Sequence, residues 1–152
     1  MTERVFVDTN VLVYGRDASE KEKQPKAREW IDHLWRTRSG RLSIQVLHEF
    51  YVTITEKLNA KIAKSTARED IRNLMAWHPV LLDGKLLESA WNVQDKHKVS
   101  WSDSLIVAAA HAAHCHYLLS EDFQDGRMYD NLQVVNPFLH DLKRISQEPR
   151  RS

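Results

Sequence analysis

The sequence has one cysteine, Cys115, so no internal disulfide can form. That usage fits a reducing compartment. Cys115 lies in an apolar, Ala-rich stretch and is expected in the core. No apolar run approaches the 18 residues that a membrane-spanning helix needs. The N-terminus reaches an apolar run within four residues, without the layout of a signal peptide. A soluble, cytoplasmic protein is the expectation. There is no excess of one charge either, since the formal net charge is +1. That balance neither demands nor excludes nucleic acid, because a local basic patch can coexist with acidic clusters. Internal repeats and linkers are absent, and so is any Ser–His or Cys–His arrangement for a protein nucleophile.

What is present is an ordinary globular composition, 42% hydrophobic and 28% charged. At 152 residues the chain suits one domain with an adequate core. The first apolar run, Val5-Phe6-Val7, is short and does not alternate with polar residues. It reads as a strand buried on both faces, as in a parallel sheet. It ends on Asp8-Thr9-Asn10, and apolar residues resume at Val11-Leu12-Val13-Tyr14. A carboxylate costs several kcal/mol to bury without a partner, so Asp8 should face a cleft, a cation or a helix N-terminus.

Strands and helices then alternate. From Pro25 a helix is predicted with Ala27, Trp30, Ile31, Leu34 and Trp35 inward, ending at Ser39-Gly40. Leu42-Ser43-Ile44 reads as a short strand. A helix follows with Val46, Leu47, Phe50, Tyr51, Ile54 and Leu58 as its stripe. Thr66 and Glu69 suggest a capping box for the next helix. His78-Pro79 stops it, and Val80-Leu81-Leu82 reads as a brief strand. Asp83 caps a helix that turns Leu86, Leu87, Ala90 and Trp91 inward. Leu105 to Ala113 is helical and apolar far enough round to be buried. Tyr117-Leu118-Leu119 and Leu132-Gln133-Val134-Val135 read as strands, separated by a turn at Asp125-Gly126. The pattern predicts an α/β sandwich with a mainly parallel sheet.

Four acids fall at comparable places. Asp8 and Asp122 directly follow buried strands, while Glu49 and Asp103 lie in the first turns of helices. Strand C-termini and helix N-termini share one edge of a parallel sheet, where ligands bind. All four can therefore face one cleft, and such a set of hard oxygen donors suits Mg²⁺ or Mn²⁺. Bland readings compete. Ser100-x-x-Asp103 fits a helix cap, Glu49 fits a solvated helix position, and Asp122 fits a turn. Glu121 is adjacent to Asp122, and a one-residue shift of the strand exchanges them. His111, His114 and His116 lack a converging fourth ligand for zinc.

Phe6-Val7-Asp8-Thr9-Asn10-Val11-Leu12 resembles the opening motif of PIN-domain nucleases. Glu49 within Val46-Leu47-His48-Glu49-Phe50-Tyr51 resembles that family's second acid. Asp103 in Trp101-Ser102-Asp103-Ser104 resembles the third, and Asp122 in Leu119-Ser120-Glu121-Asp122-Phe123 the fourth. Order, spacing and length are similar to the toxin half of VapBC toxin–antitoxin pairs. The match runs from about Val5 to Pro137.

The resemblance implies a three-layer α/β/α sandwich and metal-dependent hydrolysis of RNA phosphodiester bonds. Asp8 and Asp103 would bind Mg²⁺ or Mn²⁺, Asp122 would complete the shell and Glu49 would serve the attacking water. Thr9, Asn10, Ser102 and Ser104 can orient the carboxylates. Arg16, Arg41, Lys57, Lys61, Lys64 and Arg127 are candidates to hold the RNA backbone. Trp30, Trp35 and Trp91 are expected in the core, and Trp101 beneath the site. The resemblance also implies a cognate antitoxin, a homodimer, a nuclease domain over residues 1–146 and a frayed tail over 147–152. A response-regulator receiver fits poorly, since Thr9-Asn10 follows Asp8 and no lysine follows a late strand. The alternative is a PIN-like module that binds RNA or a protein without cutting.

Overall fold

The computed structural model describes residues 3–145, so the tail expected at 147–152 lies outside the described residues. The first apolar run is strand β1, Val5–Val7, and all three of its residues are buried. Its neighbours are β2 (Gly40–Arg41) on one side and β3 (Tyr117–Leu119) on the other, both parallel to it. Val5 pairs with Tyr117, Phe6 with Leu118 and Val7 with Leu119. Strand β5 (Leu132–Val135) runs parallel to β3, and β4 (Met128–Tyr129) closes the edge antiparallel to β5. The order is β2-β1-β3-β5-β4. This is the expected mainly parallel α/β sheet. β1 and β3 are continuous apolar runs because helices cover both faces.

Helix α1 (Thr9–Arg16) follows β1 without a loop, since Asp8 itself is the N-cap. Helices α2 (Lys23–Thr37) and α3 (Ile44–Val52) pack against it, and α4 (Lys64–Leu74) packs on α3. Helix α3 continues as a π-helical turn, Thr53–Lys57. Helices α5 (Gly84–His97) and α6 (Trp101–Ala112) form a hairpin. Asp83 caps α5 as expected, accepting from Leu86 N at 2.9 Å. Seven consecutive residues of α6, Ser104–Ala110, are buried, and Cys115 is buried as expected. Among the described residues no helix is long and apolar enough to cross a membrane.

Several local expectations fail. Strand β2 lies two residues before Leu42, because Ser43 is spent as the N-cap of α3, accepting from Val46 N at 3.2 Å. Val80 makes only an isolated bridge to Ser43, and Leu81 and Leu82 are exposed rather than in a strand. The Thr66–Glu69 capping box does not form, since α4 has already begun at Lys64. Helix α2 ends on Arg38 in the left-handed region, one residue before the expected Ser39-Gly40. Gly40 serves packing instead: a Cβ there would stand 2.8 Å from the buried Trp77 ring. That is closer than real side chains come, so the strand needs glycine there.

Candidate active site

The pairing of β1 with β3 brings two strand ends together, and with them residues more than a hundred positions apart. Asp8 ends β1 and is buried. Its Oδ1 accepts from Thr9 N at 2.8 Å, as an N-cap carboxylate does. Its Oδ2 accepts from Ser120 Oγ at 2.7 Å and from Asn10 Nδ2 at 3.1 Å. The Asn10 amide nitrogen also faces Asp122 Oδ2 at 3.2 Å and Ser120 Oγ at 3.3 Å. Its carbonyl accepts from Glu121 N at 3.1 Å. A neutral amide thus sits between two carboxylates, with Ser120 beneath it.

Neutral donors do not offset the cost of burying a charge. Burial pushes the Asp8 carboxyl up to about 6; the Ser120 and Thr9 hydrogen bonds work against that shift, and the nearby Asp122 and Glu49 charges add to it. Asp103 is raised too, by burial first and by Asp122, with its Ser100 hydrogen bond opposing. Asp8 therefore feels the Asp122 and Glu49 charges, and Asp103 feels that of Asp122, at one edge of the sheet.

Glu49 reaches the same edge from α3. Its Oε2 accepts from Thr9 Oγ1 at 3.0 Å and its Oε1 from Gln45 Nε2 at 3.2 Å. The same Gln45 amide points at Ser102 Oγ in α6, 3.4 Å away. Asp103 keeps the expected cap, its backbone N–H donating to Ser100 Oγ at 3.1 Å. Capping and membership of the acidic edge coexist in this residue.

Glu121 is committed elsewhere. It accepts from Tyr14 Oη at 2.6 Å and forms an ion pair with Lys23, whose ammonium lies over the Tyr14 and Phe138 rings. Burial pushes its carboxyl up, but the Lys23 and Tyr14 hydrogen bonds outweigh this and hold it below the usual range. Asp122, exposed beside Asn10, is the acid of this pair that faces Asp8.

A cleft of about 730 Å³ opens here, lined by Thr9, Asn10, Tyr14, Glu49, Asp122 and Lys57 among others. Of the six basic candidates only Lys57 lines it. Arg16 pairs with Asp70 on another face, Arg41 donates to the Arg38 and Gly40 carbonyls, and Arg127 donates to the His97 carbonyl and covers the Tyr129 ring. Lys61 and Lys64 are exposed away from it. The π-helical turn carries Lys57 onto the wall that Glu49 and Thr53 share, and such turns occur often at functional sites.

Other site expectations need correction. Ser104 orients no carboxylate, since its buried hydroxyl donates back to the Ser100 carbonyl at 2.8 Å. Trp30 and Trp77 are core, but Trp35 and Trp91 are exposed, and Trp101 is exposed rather than beneath the site. His111 is taken up by the Tyr129 carbonyl at 2.9 Å. Sequence reasoning missed Ser120 and Gln45 as positioning residues. A serine fully buried at a strand end signals such a role only once the sheet is known. Among the described residues no three His, Cys, Asp or Glu side chains stand close enough to form a ready-made metal group.

The chain matches the family model of the PIN domain over residues 5–129. No curated protein matches it. Among solved structures it is similar to Mycobacterium tuberculosis VapC20, described as a toxin that cleaves the sarcin–ricin loop. The identity is 19% and the TM-score 0.59, over 78% of this chain and 91% of that one. It is also similar to FitAB bound to a DNA fragment, at 17% identity and TM-score 0.66, over 88% of this chain and 95% of that one.

Proposed function

The chain belongs to the PIN-domain family, and from that premise we propose that it is a Mg²⁺- or Mn²⁺-dependent endoribonuclease, the toxin of a toxin–antitoxin pair. The observation that carries this reading is the Asp8 carboxyl. It is buried, raised to about 6 and surrounded by neutral donors, with the Asp122 and Glu49 charges adding to its strain. A bound dication relieves such repulsion. The donor chemistry fits, because carboxylates and hydroxyls are hard ligands; the fit is one of chemistry and not of a preformed cage. Asp8 and Asp103 would hold the ion, with Asp122 completing the shell. When bound, it polarises the scissile phosphate and lowers the pKa of a water.

The chain's own groups do the rest. Thr9 and Gln45 fix both oxygens of Glu49, which positions the attacking water and takes its proton. Asn10 and Ser120 hold Asp8 and Asp122 in register. Lys57 holds a backbone phosphate at the cleft wall. VapC20 as an RNA-cleaving toxin and the FitAB complex support the toxin reading and a protein antitoxin as partner. A homodimer and a cytoplasmic location complete the proposal.

The test is RNA cleavage by purified protein freed of any antitoxin. Cleavage should stop in EDTA and return with Mn²⁺, and RNA affinity should fall as salt rises. The lack of a preformed three-acid group among the described residues favours one second reading, a PIN-like module that binds RNA or a protein without cutting. Salt-sensitive RNA binding with no cleavage at saturating Mn²⁺ would establish that reading instead.

A further inference from the structure

Two of the five tryptophans stand in solvent where their helices meet. Trp91 of α5 is 51% exposed and Trp101 of α6 is 36% exposed. Their rings are stacked, with centroids 6.5 Å apart and planes inclined by 28°. Buried indoles are worth most when fully covered, so two left open together need an occupant. Trp101 opens the same first turn of α6 that carries Ser102 and Asp103. Through Ser102 and Gln45 that turn is tied to Glu49. The stack therefore lies beside the acidic edge.

We propose that the Trp91–Trp101 stack is a platform for an unpaired base of the RNA, next to the nucleotide being cut. The proposal rests on the ribonuclease reading above. Two half-exposed indoles offer on the order of 100 Å² each. That falls well short of the roughly 800 Å² per partner of a stable protein interface, whereas a single base needs no more. Every base has a π-face, so such a platform selects single-stranded RNA over duplex without reading sequence. The exposed acids Glu88 and Asp95 flank Trp91 on α5. They repel phosphate, so the contact on this face is with the base and not with its backbone.

The test measures binding of a single-stranded oligoribonucleotide in EDTA by fluorescence anisotropy. Trp91→Ala and Trp101→Ala should each weaken binding by about 5- to 100-fold, the usual weight of one stacked base. Trp91→Phe and Trp101→Phe should stay within about threefold of the parent, since a ring remains. A matched strand with abasic sites should bind the parent and both Ala variants equally. Parent-like affinity in both Ala variants overturns the platform, as does equal weakening for the intact and abasic strands. A fall in sedimentation mass at unchanged RNA affinity also overturns it, and makes the face a subunit interface. A parent that binds no RNA sinks the ribonuclease reading and the platform together. A parent that cuts RNA while ignoring both rings sinks the platform alone.

Discussion

Helix α1 lines two cavities of the same volume, about 730 Å³ each, one acidic and one with acids and arginines in equal number. On one side Thr9, Asn10 and Tyr14 face the acidic cleft. On the other, Leu12, Gly15 and Arg16 face a space shared with Trp35, Phe50 and Asp70. There Arg16 grips Asp70 through two hydrogen bonds of 2.7 and 2.5 Å. Behind the cleft wall, Asp8 is hydrogen-bonded by the neutral groups of Thr9, Asn10 and Ser120, and burial pushes its carboxyl up to about 6. Size does not separate the two. The difference is unspent charge, which marks a place where binding something relieves a cost already incurred in folding.

The sharpest break between the two sides is kinetic. Asp103→Asn should lower RNA cleavage by orders of magnitude while leaving metal-free stability level or higher, since one of several repelling charges is gone. If Asp103 served only as a cap, the change would cost about 0.5–1 kcal/mol and cleavage would persist. Near-parent cleavage from a destabilised variant would place this acid with Asp70, on the structural side of the comparison.

Next in size is the response to ions and protons. Mn²⁺ at about 100 times Kd should stabilise the fold by about 2–3 kcal/mol, read as a raised Tm. A flat melting temperature across the titration would count heavily against a shared site. Without metal, the folded Asp8 keeps a proton that the unfolded chain, with its carboxyl near 3.8, has released. The Asp8 contribution to stability is thus full below about pH 4 and is lost as pH rises through about 6. An NMR titration of its carboxyl should have a midpoint near 6; a midpoint at or below 4 would erase the contrast with the paired cavity.

The smallest effect belongs to that cavity. Asp70→Ala should cost about 1–2 kcal/mol, less than the loss of a fully buried partner, because the Arg16 side chain is 35% exposed and screened. Chemical denaturation measures the cost, and cleavage should stay within about threefold of the parent. A loss of cleavage comparable to that of Asp103→Asn would join the two cavities into one functional unit.

Legibility in the sequence followed the same division between what is local and what needs the fold. Strands β1 and β3 were readable because an unbroken apolar run needs only burial on both faces, and β5 departs from one only at Gln133. The two-residue β2 carries no such run, and Leu81-Leu82 carries one without being buried. Trp91 sits at helical spacing with Leu87, yet spacing alone does not say that a neighbour covers it. The positions of Asp8 and Asp103 follow from local signals, since Asp8 directly follows a strand and Asp103 lies in the first turn of a helix. Glu49, by contrast, sits well inside α3, and Asp122 three residues past β3. Ser120 under Asp8, Gln45 between Glu49 and Ser102, and the Lys23–Glu121–Tyr14 contact exist only once distant segments meet. Glu121 and Asp122 could be separated only by seeing which one Lys23 takes.

The pairing of β1 with β3 also has a consequence for timing during synthesis. Asp8 is made early, and the Ser120 hydroxyl that holds it comes 112 residues later. At about 5–20 residues per second, that interval is roughly 6–20 s of translation. Throughout it, β1 has no partner on its β3 side, and the edge still lacks Asp122, its last acid. A chain still on the ribosome carries an unfinished acidic edge until most of the protein exists. The strand order therefore works as a delay between the first acid of that edge and its completion.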